Sequence, residues 1–67
     1  MCKLEIIKEI EGFTKISCKY CNIELCAIEV EFKEALNLAK KGQDIQIIDN
    51  KIFVIIDTWE RILTSLN

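Results

Sequence analysis

The chain has no histidine, no proline and only two glycines among its 67 residues. Without histidine it lacks the side chain that most often carries general acid–base chemistry near neutral pH. Ser17 and Ser65 therefore have no imidazole to activate them. Gly12 and Gly42 lie far apart, so no glycine-rich phosphate loop can form. The carboxylates Glu5, Glu9, Glu11, Glu29 and Glu31 recur at alternating positions, the pattern of a solvated sheet face. A domain of this size also leaves little room for a deep ligand pocket. The sequence predicts a protein that binds rather than an enzyme.

Long apolar runs are missing too. The stretch Ile52-Phe53-Val54-Ile55-Ile56 is far short of the roughly 20 residues that cross a bilayer as a helix. No charged start leads into an apolar stretch and a small-residue cleavage site, which predicts a cytoplasmic location. A dense basic face is likewise lacking. Residues 1–21 carry four Lys against three Glu, residues 22–39 one Lys against four Glu, and residues 40–67 four cations against four anions. The net charge of −2 suits neither a strongly basic nucleic-acid binder nor an acidic mimic of one. Ile and Lys are abundant while Pro is absent, a bias that fits an AT-rich genome such as that of a bacterium or a phage.

What is present is apolar: 51% of the residues are hydrophobic, enough for a core. Residues 1–67 read as one compact domain with no linker or repeat. A domain this small buries only about 60% of the surface its unfolded chain exposes, so a staple or a partner is an expected aid to stability.

The periodicities give the order strand, strand, strand, helix, strand, strand, helix. Leu4, Ile6 and Ile10 alternate with charged residues, and Gly12 marks a turn. A three-residue loop, Ile10-Glu11-Gly12, would pair Leu4 with Cys18, Ile6 with Ile16 and Lys8 with Thr14. Asn22 suits the left-handed corner after Cys21. Residues 23–30 alternate again, with Cys26, Ile28 and Val30 on one face and Ile23, Leu25 and Ala27 on the other. One long helix through residue 41 is the competing reading. Phe32, Ala35, Leu36 and Ala39 predict the buried stripe of a helix that Gly42 ends. Asp49-Asn50 predicts a tight hairpin with Ile47 opposite Ile52 and Ile45 opposite Val54. Asp57 and Glu60 read as a capping box before a last helix whose apolar stripe is Trp59, Ile62, Leu63 and Leu66. The fold class is α+β: a small antiparallel sheet, two hairpins plus one strand, with two short amphipathic helices.

Four cysteines, Cys2, Cys18, Cys21 and Cys26, carry the most suggestive chemistry. Cys18 and Cys21 are spaced so that two thiolates on one turn can face a metal. With no histidine, a structural zinc would need all four cysteines as ligands. The first hairpin would set Cys2 beside Tyr20, near that pair. The alternative is four reduced thiols packed as small apolar groups, since a cytoplasmic location disfavours disulfides. A redox dithiol would ordinarily sit at a helix start, whereas a strand is expected after Cys21.

Two binding readings follow. In the first the chain is a protein–protein interaction module that docks on a larger protein as an inhibitor or regulator, in the manner of phage anti-defence proteins, or on itself as a homodimer. Ile48, Phe53 and Ile55 are its expected contact residues, because the Ile-rich hairpin has apolar side chains on both faces and one face is left over. In the second the chain is a zinc-ribbon-like nucleic-acid binder or a small structural adaptor, suggested by Lys15, Lys19 and Tyr20 around the Cys-x-x-Cys turn.

Overall fold

The computed structural model describes residues 3–66, and the side chains of residues 3–64. Its elements are β1 (Leu4–Ile10), β2 (Phe13–Cys18), β3 (Ile23–Glu29), α1 (Phe32–Lys40), β4 (Ile45–Ile48), β5 (Lys51–Thr58) and α2 (Trp59–Leu66). The βββαββα order is the one the periodicities predict, and the long-helix alternative is not adopted. The five strands form one antiparallel sheet in the order β1-β2-β3-β5-β4. Strand β5 thus slots between β3 and β4, which run in the same direction. Helix α1 carries the chain across it.

The turns are set by residues that accept a positive φ. Asp49 and Asn50 (φ 52° and 65°) close the β4–β5 hairpin with the predicted pairs Ile47–Ile52 and Ile45–Val54. Glu11 and Gly12 (φ 49° and 86°) make the first hairpin turn, with Ile10 paired to Phe13. Its loop therefore has two residues, not three. Leu4 faces Cys18 and Ile6 faces Ile16 as expected, but Lys8 faces Lys15 rather than Thr14. The difference is taken up by a bulge at Ile7, which adds one residue to β1 and restores the register.

Helix α1 ends as its sequence suggests. The Gly42 N–H donates to the Ala39 carbonyl and the Gln43 N–H to that of Leu38, with Gly42 at φ 87°. This two-bond closure needs a left-handed residue, and glycine takes that conformation with no Cβ penalty. Helix α2 starts one residue later than the capping box implies. Thr58 is the cap: its Oγ1 accepts the Arg61 N–H at 3.4 Å. Asp57 instead accepts the Thr58 N–H at 2.8 Å and lies 3.5 Å from the Arg61 guanidinium.

The two faces of the sheet have different fates. Thr14, Ile16 and Cys18 alternate inward on β2, and their partners Ala27, Leu25, Ile6 and Leu4 share that face. There Ile16, Ala27, Ile48 and Phe53 form the core, with Leu4, Ile6 and Ile55 packed around it. Among the described residues, no helix residue enters this cluster. The sheet curls instead, bringing the start of β1 toward the end of β4. A second bulge, where β3 passes from Cys26 to Ala27 against Asp57 and Ile55 of β5, adds to the bend. The opposite face holds Cys26 and Val54, and the helices pack there: α2 on β3 and β5, α1 on β4 and β5.

This curl corrects the expected contact surface. Ile48 is 8% exposed and Phe53 1%, while Ile55 is half-buried against the same cluster. All three line the inside of the curled sheet, where they pack on one another rather than standing out on a free face. Alternation along β4 and β5 identifies two apolar faces, but it cannot show that one of them closes on itself.

Candidate functional site

The Cys-x-x-Cys segment forms the β2–β3 turn. The Asn22 N–H bonds the Cys18 carbonyl at 3.1 Å, and Asn22 has the expected positive φ of 57°. The Cys21 N–H points at Cys18 Sγ, 3.3 Å away. Cys18 is 2% exposed, while Cys21 is exposed. Cys18 is disulfide-bonded, whereas Cys21 and Cys26 are free thiols. The expectation of four reduced thiols therefore fails at Cys18.

Cys26 does not approach this turn. It pairs with Lys15, three rungs from the Cys18–Ile23 pair, and alternation puts it on the opposite face. Three rungs are about 10 Å of strand. Cys18, Cys21 and Cys26 are thus not gathered around one point, and no group of three or more His, Cys, Asp or Glu that could hold a metal occurs among the described residues. Cys2, the fourth expected ligand, lies outside the described residues.

Cys26 instead belongs to the layer beneath α2. It is fully buried, and burial first and the nearby Asp57 carboxylate second push its thiol pKa above the ordinary 9.0. Below pH 9 the thiol keeps its proton in both states. Above it the unfolded chain ionises while the folded one holds its proton, so stability falls as pH rises toward the folded pKa. Urea unfolding across pH 8–10.5 should show a decline of up to about 1.4 kcal/mol per pH unit from this residue. Cys26→Ala should remove that part of the slope; an unchanged slope would mean Cys26 ionises freely in the fold.

Lys15 lies in the same layer. Its Nζ is 2.8 Å from Glu24 Oε2 and 5.6 Å from the centroid of the Trp59 ring. Its charge is met within the domain, which leaves Lys19 and the 72%-exposed Tyr20 as the outward members of the expected phosphate-binding patch. That trio does not come together as one basic surface.

Exposed large apolar side chains are spread over the domain, on β1 (Ile7, Ile10), the β2–β3 turn and β3 (Tyr20, Ile23), β5 (Ile56) and α2 (Leu63), and two of the three most exposed, Phe32 and Ile47, lie on α1 and β4. Only Ala35 of α1 is buried, with Leu38 half-buried. Phe32 is 67% exposed and Leu36 48%, and Ala39 is exposed too. The predicted stripe is therefore rotated: the small Ala35 lets the helix sit close to the sheet, and the larger residues one turn apart face outward. Ile47 of β4, a strand on which α1 packs, is 72% exposed. Sequence reasoning missed this surface because an i, i+3, i+4, i+7 stripe does not show which of its flanks meets the sheet.

The two sheet edges also differ. β1 carries Glu5, Lys8, Glu9 and the bulge at Ile7, features that discourage edge pairing. β4 is Ile-Gln-Ile-Ile, with no charge and no bulge. Beside it, an open cleft of about 370 Å³ is lined by Lys3, Leu4, Gln46, Ile47, Ile48 and Asp49. A second cleft of about 270 Å³ lies between Asn22–Glu24 and Thr58 and Glu60. No described helix is long and apolar enough to cross a membrane. No family model matches the chain, and no curated protein or solved structure matches it.

Proposed function

We propose that this protein is a non-enzymatic interaction module that docks on another protein, as an inhibitor or regulator, through α1 and the adjoining strand β4. The observation that carries the reading is the exposure of three large apolar side chains on these two elements: Phe32, Leu36 and Ile47. Aliphatic and aromatic groups left in water on so small a domain cost free energy that an interface recovers, at roughly 25 cal/mol per Å² of apolar surface. The charges around them are mixed: Lys33, Glu34, Lys40 and Lys41 on or beside α1, and Asp44 and Asp49 flanking β4. A rim of both signs favours a protein partner over a nucleic acid or an anionic membrane, which would call for a basic one. The uncharged edge of β4 adds unpaired backbone groups that a partner strand can meet.

The test places a photo-reactive residue at position 36 and a control at position 8, with cross-linking in cells of the native host. A single protein cross-linked from position 36 and not from position 8 is then purified and its affinity measured. Phe32→Ser with Ile47→Lys should weaken binding at least tenfold. Equal capture from both positions, or an affinity the substitutions leave unchanged, would overturn the reading.

A further inference from the structure

We infer that the open edge of β4 pairs with β4 of a second copy of this chain, antiparallel and centred on Gln46, to make a two-fold dimer. The inference rests on the reading of α1 and β4 as a docking surface and names the occupant of its strand edge. Among the described residues, β4 pairs only with β5. The Ile55 N–H donates to the Asp44 carbonyl at 2.9 Å, and the register sets Ile45 opposite Val54 and Ile47 opposite Ile52. Residues that bond across an antiparallel ladder alternate with residues that do not. Asp44, Gln46 and Ile48 therefore turn their backbone groups to β5, while Ile45 and Ile47 turn theirs to the open edge. The start of β1 comes near this strand from inside the curl, where Leu4 packs on the core.

That outward set is self-complementary. Centring on Gln46 puts Ile45 of each chain opposite Ile47 of the other, and each such pair exchanges both backbone bonds. Alternation places the two isoleucines on the helix-bearing face with Val54, so the same pairs add apolar cross-strand contacts. Ile47 is 72% exposed and Ile45 half-buried, so both have surface left to cover. A slide of one residue would set Asp44 against Asp49 of the second copy and meet backbone groups that β5 already holds. The charges of α1 agree with the two-fold arrangement. This helix joins the end of β3 to the start of β4 and so runs back along the sheet. Glu31 and Glu34 outnumber Lys33 at its start, and Lys40 and Lys41 close it. The two-fold axis turns the second copy's α1 antiparallel on the same face. The acidic start of each helix then lies toward the basic end of the other, and the helix dipoles oppose one another favourably. An interface built on one strand edge is small, so the dimer forms at high concentration and the monomer prevails when dilute.

The experiment measures the mass of the full chain by sedimentation equilibrium, from micromolar concentrations up to about 0.5 mM, the range in which a weak dimer fills. A monomer–dimer equilibrium is expected. Ile47→Pro removes an N–H that faces outward, so β4 keeps its ladder to β5, and the dimer dissociation constant should rise at least tenfold. A second variant does not depend on the fold accepting proline. The inferred register sets Gln46 opposite itself, with Cβ atoms about 4.5–5.5 Å apart. With Cys21→Ser in place, Gln46→Cys should therefore give a disulfide-linked dimer on mild oxidation, and Lys8→Cys, on the other sheet edge, should not. Protection of the buried Cys26 from alkylation shows that each variant is folded. The inference is overturned by a monomer at every concentration, by a dimer that a folded Ile47→Pro leaves unchanged, or by Lys8→Cys linking as readily as Gln46→Cys. A monomer that still binds a larger protein through position 36 would end the dimer and keep the docking reading. A dimer that binds no other protein there would do the reverse.

Discussion

Phe53→Ala is expected to leave the protein largely unfolded. Phe53 is 1% exposed and sits in the cluster with Ile16, Ala27 and Ile48, where the sheet curls around it. Truncating a buried Phe costs about 3–5 kcal/mol, the lost transfer energy plus the cavity left behind. A chain of this length has a total stability on the order of 3–10 kcal/mol. The variant should therefore lose most of its margin, read as loss of the urea baseline and of Cys26 protection. Phe53→Leu keeps an apolar filler and should fold. If Phe53→Ala melts like the parent, the inside of the curl is not the core, and the sheet is open where it is described as closed.

Trp59→Ala is the second large effect. Trp59 is 6% exposed, stands at the first position of α2, and carries Lys15 over its ring at 5.6 Å. Its removal takes away the ring beneath the Lys15 ammonium, leaving the ion pair with Glu24. The expected cost is again about 3–5 kcal/mol, measured by thermal unfolding followed by circular dichroism, since the fluorophore is gone. Trp59→Phe retains a ring beneath the ammonium and should recover most of the loss. An unchanged melting temperature for Trp59→Ala would move Trp59 to the surface and make it a contact residue.

These two residues show what was legible in the sequence. Trp59 reads as buried because the stripe it begins is local, and the structure agrees. Asp49-Asn50, Asn22 and Gly42 are legible for the same reason: positive φ is a one-residue property that few residue types accept. Leu4–Cys18 and Ile6–Ile16 follow from matching apolar faces. Lys8–Lys15 does not, because a bulge inserts a residue without changing composition, and the pattern of β1 can be fitted equally well by a longer loop. The same kind of irregularity, repeated in β5, bends the sheet around Phe53 and Ile48. It turns an expected binding face into the core. α1 differs from its expected orientation because a small residue, Ala35, sets the closest approach to the sheet while larger neighbours turn outward. Of the cysteines, the Cys18–Cys21 turn was legible. The placement of Cys26 on the far face follows only once the β2–β3 register is known.

The most direct test of the account is the stability of a triple variant, Phe32→Ser, Leu36→Glu and Ile47→Lys, measured by urea unfolding beside the parent. These are three of the larger apolar side chains of α1 and β4, and the account puts all of them in water. It predicts a folded protein within about 1 kcal/mol of the parent, as for substitutions at exposed positions. A loss of several kcal/mol would contradict it, because those side chains would then be packing the interior of the domain.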